Sequence, residues 1–531
     1  MSFTPVYGSV PVLAVERLHV SVAAEGQQTV IVSDVSFRVA KGEMLAVVGE
    51  SGCGKSTLVK TILGLLPPHF KWVGSVQLCG QALEGLTGRQ LKQLRGKRIG
   101  FVPQDPATSL DPLQPVGAQL NEILAVHTGL SRQKRELKIQ QLFTQVGLKE
   151  PQKVAQCYPH ELSGGMQQRV LIAMALALDP DILIADEATS ALDASVQQQI
   201  MTLLNELQRL GIAILFVTHD LPLAARYATT VIVLKAGEVQ ESGPAQDTLQ
   251  NPQSVCGQKL IQNMPSFWHP VHHTKNIIDH TQVVVEVNDL SFVYAGQQEP
   301  VLSQINFCVG RGTTHAVIGE SGAGKSTLLK LLQGRLQASS GSIVVHGINP
   351  GKLTGQSRQK YGRVMQMVYQ QPSLTFDPLL SVKAILEEPL VNYRKLTPGL
   401  RSSEIHEVLN AVHLPLSILK RKTTDISGGQ AQRLALARAL LCRPEIMVMD
   451  EIVSALDVNV QSEILNLIMS LQKKFSITYI FVSHDLAVVR QIADTVTILK
   501  NGCVIQTGTL DDVFFGNPHD YTKQLIACVN Y

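Results

Sequence analysis

Short apolar runs alternate along the chain with longer stretches in which apolar positions recur every three or four residues. Residues 44–48 form one such run, closed by Gly49, and read as a buried strand. After it Leu58, Val59, Ile62, Leu65 and Leu66 fall on one helical face. Residues 182–185 form a second buried strand, and beyond Asp193, a candidate N-cap, Ile200, Leu203, Leu204, Leu207 and Leu210 line a helix that Gly211 can end. Runs at 213–217 and 479–482 add further strands. Strands with no polar face, interleaved with amphipathic helices, predict α/β domains built on a largely parallel sheet.

The pattern is written twice. Gly-Glu-Ser-Gly-Cys-Gly-Lys-Ser-Thr at 49–57 returns as Gly-Glu-Ser-Gly-Ala-Gly-Lys-Ser-Thr at 319–327, a shift of 270. Ser-Gly-Gly at 163–165 and Ser-Ala-Leu-Asp at 190–193 each return 264 residues later, and His219-Asp220 returns as His484-Asp485. A period this long is a duplicated domain rather than a solenoid repeat. The expected division is a domain over 1–264, a linker over 265–281 and a second domain over 282–531. Two prolines and a loss of apolar periodicity mark the linker. Its histidines (His269, His272, His273 and His280) have a spacing that could hold a soft metal, but solvated linker side chains are the expected reading.

Composition narrows the function classes. The formal net charge of +3 over 531 residues is far from the basic balance of a nucleic-acid binder. With 17% charged residues, below the usual quarter, some surface is expected to be covered by partners. The longest apolar run, 170–178, is broken by Asp179-Pro180, so no membrane span is expected. The N-terminal residues lack the basic start and apolar core of a signal peptide. Eight cysteines without a Cys-x-x-Cys pair argue against a disulfide framework or a zinc site and fit a reducing cytosol.

The chemistry centres on the Gly-x-x-x-x-Gly-Lys-Ser segments, each between a strand and a helix. Gly49, Glu50, Ser51, Gly52, Cys53, Gly54, Lys55, Ser56 and Thr57 form one, with Gly319, Glu320, Ser321, Gly322, Ala323, Gly324, Lys325, Ser326 and Thr327 the other. Glycines let backbone N–H groups wrap a phosphate, and the helix N-terminus adds partial positive charge. Lys55 and Lys325 would meet β- and γ-phosphates, while Ser56 and Ser326 would offer hydroxyls to Mg²⁺. Asp186-Glu187 and Asp450-Glu451 end buried strands about 130 residues later. The aspartates suit Mg²⁺ and the glutamates an attacking water. Ser163, Gly164 and Gly165, like Ser427, Gly428 and Gly429, precede apolar helices, where a serine N-cap would explain them equally well. The recurrence of their spacing to the acidic pair favours a functional role. His219 and His484 close the set and are expected to contact the γ-phosphate. Cys53, beside a helix N-terminus, is expected either to have a lowered pKa and nucleotide-protected reactivity or simply to fit as a small residue.

This ordered set resembles the ATP-binding-cassette family across nearly the whole chain. The resemblance implies two P-loop NTPase domains in tandem, each with a RecA-like core, an antiparallel β subdomain and a helical subdomain. It further implies a head-to-tail pairing of the halves around two ATP molecules. Lys55, Ser56, Gln104, Asp186, Glu187 and His219 would work with Ser427, Gly428 and Gly429. Lys325, Ser326, Gln370, Asp450, Glu451 and His484 would work with Ser163, Gly164 and Gly165. Gln104 and Gln370 would sense both Mg²⁺ and the water. Tyr294 matches the family's adenine-stacking aromatic, whereas Val22 holds that place in the first half, implying weaker nucleotide affinity there. Ala188 and Ile452 replace the proline that usually follows the catalytic glutamate. The glutamine segments at 104–112 and 370–378, and the tail at 516–525, are similar to those of oligopeptide, dipeptide and nickel importers. In such systems the segments at about 105–162 and 371–426 dock on two integral-membrane permease subunits, a substrate-binding protein joins through the complex, and the ATPase subunit sits peripherally at the cytoplasmic side of the inner membrane. Neither half has the cysteine-rich extension of many peptide importers, a mild tilt toward nickel, metal-chelate or small peptide-like cargo. The rival class is a soluble tandem ATPase acting on ribosomes or nucleic acid, which the near-neutral charge and short linker disfavour.

Overall fold

A computed structural model describes residues 11–24, 27–50, 52–189, 192–264, 282–320, 322–454 and 456–529. The linker histidines, together with Ser51, Ser321, Ser190, Ala191 and Ala455, lie outside the described residues. The chain divides at Met264 into two units, each described here by itself.

In the first unit β1 (Leu13–Ala24), β2 (Gln27–Val39), β4 (Phe70–Leu78) and β5 (Gln81–Ala82) form a four-stranded sheet in the order β2-β1-β4-β5. Its pairings are antiparallel. A six-stranded sheet has the order β10-β9-β3-β8-β7-β6, from β3 (Met44–Gly49), β6 (Ile99–Val102), β7 (Ile182–Asp186), β8 (Ala213–Thr218), β9 (Thr230–Lys235) and β10 (Glu238–Pro244). Only the β9–β10 hairpin is antiparallel. Every residue of β3 and β8 is buried, because both sheet faces are covered. Met44, Ala46 and Val48 enter a core shared with the helices Val116–His127, Arg132–Gln145, Gly164–Leu176 and Ala194–Arg209. Leu45 and Val47 enter a second core, made with the antiparallel sheet and the helix Lys55–Ile62. The phosphate-loop helix is thus clamped between two sheets.

The second unit repeats the scheme. β11 (Val283–Phe292), β12 (Leu302–Gly310) and β14 (Ser340–Val345) form the antiparallel sheet β12-β11-β14. The larger sheet runs β15-β16-β17-β13-β18-β19, from β13 (Thr314–Ile318), β15 (Met365–Val368), β16 (Ile446–Asp450), β17 (Thr478–Ser483), β18 (Thr495–Lys500) and β19 (Cys503–Thr509). Its cores again separate alternate residues of the central strand, Ala316 and Ile318 from Val317. Among the described residues no helix is long and apolar enough to cross a membrane.

Candidate active site

Each phosphate loop leaves a central strand and enters a helix through a glycine in the left-handed region, Gly54 at φ +104° and Gly324 at φ +97°. A side chain at Gly54 would also meet the carbonyl of Ile31 at 2.9 Å, so only glycine serves both backbone and packing. Lys55 folds back across its loop, its Nζ donating to the carbonyls of Gly49 at 2.6 Å and Glu50 at 2.9 Å. Lys325 does the same to Gly319 at 2.6 Å and Glu320 at 3.0 Å. Both ammonium groups are buried, and burial holds Lys325 below the usual lysine range although Glu451 and Asp450 pull the other way. Buried cations held by loop carbonyls, with the Cys53 thiol and nearby acids around them, suit an anion brought to the loop. Ser56 and Ser326, the second residues of these helices, are exposed.

A hairpin clasps the loop from far along the chain. Gly237, in the turn between β9 and β10, donates its N–H to the carbonyl of Cys53 at 2.9 Å and accepts from Ser33 at 2.8 Å. A Cβ there would lie 2.2 Å from the carbonyl of Ile31. Gly502 repeats the arrangement, donating to Ala323 at 3.2 Å and accepting from Ser303 at 2.8 Å. Sequence reasoning missed this pair, since the only signal was a glycine in each C-terminal hairpin.

The acidic pairs end β7 and β16. Glu187 and Glu451 take left-handed backbone, φ +49° and +47°, and each donates its N–H to the neighbouring strand, Glu187 to Val217 at 2.8 Å and Glu451 to Val482 at 3.0 Å. That bond fixes where the chain turns out of the sheet. Gln104 Nε2 donates to Glu187 Oε2 at 2.8 Å, and His219 Nδ1 lies 3.4 Å from the same oxygen. In the second unit Gln370 Nε2 donates to Glu451 Oε2 at 3.1 Å, His484 Nδ1 lies 3.4 Å from that oxygen, and Lys325 Nζ lies 3.9 Å from Oε1. Gln370 also reaches Ser454 Oγ at 3.4 Å. Burial works to raise both glutamates, but the hydrogen bond and charge of the histidine, with the lysine charge, outweigh it and hold each carboxyl below its ordinary value. The histidines are raised in turn, burial being overcome by the glutamate.

Asp186 and Asp450 behave oppositely. Burial, then the charge of the adjacent glutamate, pushes each carboxyl up to about 6. Two neighbouring acids split in this way mark a place short of positive charge. Among the described residues no group of three or more His, Cys, Asp or Glu side chains is arranged to hold a metal alone. A hard cation such as Mg²⁺ would suit one carboxylate and a serine hydroxyl with phosphate oxygens completing its shell.

The structure brings lysine, glutamine, aspartate–glutamate and histidine together within each unit. In the Ser-Gly-Gly turns Ser163 and Ser427 are N-caps, accepting from Met166 at 3.3 Å and Gln430 at 3.4 Å, and each opens a helix of 13 residues. Tyr294 meets its phosphate-loop helix, its hydroxyl 3.2 Å from Thr327 Oγ1. Cys53 requires a correction to the lowered-pKa reading. Its side chain is 5% exposed, and burial raises the thiol, outweighing Lys55 and the backbone donors. The helix N-terminus is too weak to offset loss of water.

A cleft of about 620 Å³ opens in the second unit among Arg335, Met367, Tyr369, Phe376, Glu388, Tyr393 and Arg438. Neither the phosphate loop nor Glu451 lines it. Nearby apolar residues stand in solvent, Leu374 at 78% and Leu379 at 80% exposure, and Leu113, which follows the same Asp-Pro in the first unit, is 83% exposed.

Comparison with known proteins follows the same lines. The ABC transporter family matches residues 32–190 and 302–454. An uncharacterized ABC transporter ATP-binding protein, YejF of Escherichia coli (strain K12), is 39% identical over 97% of this chain and 99% of its own length. A peptidoglycan transport ATP-binding protein, YejF of Agrobacterium fabrum, is 36% identical over 97% of this chain and 96% of its own. A glutathione import ATP-binding protein, GsiA of Pectobacterium atrosepticum, is 33% identical over 98% and 89% respectively.

Proposed function

This chain belongs to the ABC transporter family as an ATP-hydrolysing importer subunit, and on that premise we propose how its two sites work. The observation that carries the reading is the convergence, twice, of a glutamine and a histidine on the glutamate after a central strand, with the charge of the buried loop lysine acting on it in each unit.

Lys55 and Lys325 bind the β- and γ-phosphates, exchanging loop carbonyls for phosphate oxygens, while the loop N–H groups orient them. Glu187 and Glu451, kept ionised by the histidine and lysine beside them, accept a proton from water as its oxygen attacks the γ-phosphorus. The β–γ P–O bond breaks, and ADP and phosphate leave. Gln104 and Gln370 hold the glutamate oxygen that faces this water; His219 and His484 prevent it from swinging away. Ser56 with Asp186, and Ser326 with Asp450, would hold Mg²⁺, which when bound neutralises phosphate charge and restores the ionised aspartate. The Ser-Gly-Gly turns complete the opposite unit's nucleotide, a role supported by their place at the N-termini of long helices, which favour anions. ATP binding then draws the two halves of one polypeptide head to tail, and hydrolysis releases them.

The partners are two integral-membrane permease subunits, with a substrate-binding protein in the complex, and the chain works peripherally at the cytoplasmic face. The second-unit cleft and the exposed Leu113 and Leu379 support docking through 105–162 and 371–426, since an exposed apolar patch beside a polar groove suits a partner's amphipathic segment. The relatives' names point to peptide-type cargo, which we adopt over nickel or a metal chelate. The decisive experiment is the Glu187→Gln plus Glu451→Gln chain. Phosphate release should fall at least ~10²-fold with ATP binding retained, and undiminished steady-state turnover would refute the assignment.

A further inference from the structure

Tyr294 lies beside its phosphate loop because its hydroxyl is held by Thr327, the third residue of the loop's helix. Its ring is half-buried and packs edge-on against Phe292 at 4.8 Å. In the first unit the ladder register identifies the equivalent places. Leu13 pairs with Val39 and Leu18 with Val35, as Val285 pairs with Val309 and Leu290 with Ile305. Val20 and Val22 therefore stand where Phe292 and Tyr294 stand. An aromatic pair has become a valine pair.

The aromatics have not been lost; they have moved to the next strand. β4 continues its pairing past the point where β14 ends, placing Trp72 opposite Val20 and Phe70 opposite Val22. The corresponding residues of the second unit follow from Glu16 pairing with Ser75 as Asn288 pairs with Ser342, and they are Ser339 for Trp72 and Gln337 for Phe70. At both levels, then, one unit has the aromatic on the first strand and a non-aromatic residue on the next, and the other unit has the reverse. Directly paired residues share a sheet face, and this face looks at the phosphate loop. Val32, which pairs with Val20, would touch a Cβ on Gly54 at 3.3 Å. Phe70 and Trp72 pack on the same core as Cys53, Leu58 and Ile62. Phe70, like Tyr294, keeps part of its ring in solvent.

We propose that Phe70, on β4, supplies the aromatic face for the adenine of the ATP bound by the first unit, in place of the residue missing at Val22. With Phe70 in this role the first site is not weakened by Val22, a consequence that rests on the reading that the unit binds ATP. A base needs only a π-face to stack on, so either strand can provide it. Trp72 stands two residues along β4 on the same face, and the ring of Phe70 packs against His69 with centroids 4.9 Å apart.

The test uses the full chain with Lys325→Ala, which silences the second site, and equilibrium binding of a fluorescent mant-ATP without turnover. Phe70→Leu keeps an apolar side chain but no π-face and should weaken binding about 5- to 100-fold, with an unchanged melting temperature. Phe70→Tyr should stay within about 3-fold, and adding Val22→Tyr to Phe70→Leu should recover affinity by restoring the second unit's arrangement. Separately, 8-azido-ATP should label the tryptic peptide 61–71 of the otherwise unaltered chain. Equal affinity of Phe70→Leu and its parent, or labelling of the first unit only outside 61–71, overturns the proposal. Absence of any mant-ATP binding with Phe70 intact would instead strike the underlying reading that this unit is an ATP site.

Discussion

His315 offers a sharp test of how burial sets the pH behaviour of this protein. It sits in the central strand of the second unit, 1% exposed, stacked on Phe307 with ring centroids 4.9 Å apart. Its Nδ1 is 2.8 Å from Thr495 Oγ1 and its Nε2 3.1 Å from Thr497 Oγ1. Burial pushes its pKa down to about 3 from an ordinary 6.5, so the fold accepts the neutral ring and excludes the cation. The unfolded chain takes up a proton as pH falls through about 6.5, and the folded chain does not until about 3. Stability is thus undiminished above 6.5 and declines by about 1.4 kcal/mol per pH unit below it. At pH 5 the accumulated loss is about 2 kcal/mol, or a fall of roughly 4–8 °C in melting temperature for a unit of this size. The perturbation is His315→Leu, a residue the fold already accepts, since Leu45 holds the same register in β3. Removing two hydrogen bonds lowers the variant by about 1–2 kcal/mol at pH 7.5. The decisive quantity is the slope: by calorimetry, the wild-type advantage should shrink from pH 7 to 5 until the variant draws level. Parallel curves over that range would refute the reasoning.

Other outcomes follow from geometry already described. Gly237→Val places atoms against the Ile31 carbonyl, which a Cβ would approach to 2.2 Å, and should cost about 2–4 kcal/mol and weaken nucleotide binding in the first unit; unchanged melting and binding would count against the clasp. Alkylation by iodoacetamide at neutral pH should reach the exposed Cys503 well before the buried Cys53, with Cys53 labelling the same with and without ATP; mass spectrometry decides it. Leu113→Asp plus Leu379→Asp should abolish co-purification with membrane subunits and leave basal ATP hydrolysis within about 2-fold, because exposed sites bear little on the fold; retained co-purification would place docking elsewhere.

The phosphate loops, the acidic strand ends and the two-unit plan were legible because each is encoded within a few residues, and the second copy removed ambiguity. Apolar runs at 44–48 and 182–185 became β3 and β7, one residue longer at their ends. What could not be read depended on pairing between distant segments. Phe70 meets Val22, 48 positions away, only through β1–β4 register. Gly237 reaches Cys53 only once the last hairpin is in place. Of the two readings of Cys53, burial favours the small residue that simply fits, a choice that needs the depth of burial and not only the helix start visible in sequence. The 620 Å³ cleft likewise assembles side chains from several separated elements, with no local motif to announce it.

The hairpin clasp has a temporal consequence. During synthesis a ribosome delivers Gly54 and Lys55 long before Gly237, so the nascent first unit has its phosphate-gripping residues while the turn that fastens them is still unmade. Until the β9–β10 turn emerges, nucleotide would find an unfastened loop. The same wait then recurs for Gly502, near the end of the second unit. Each loop is therefore fastened by its own half's final strands, and a chain halted before them carries the motif without that fastening.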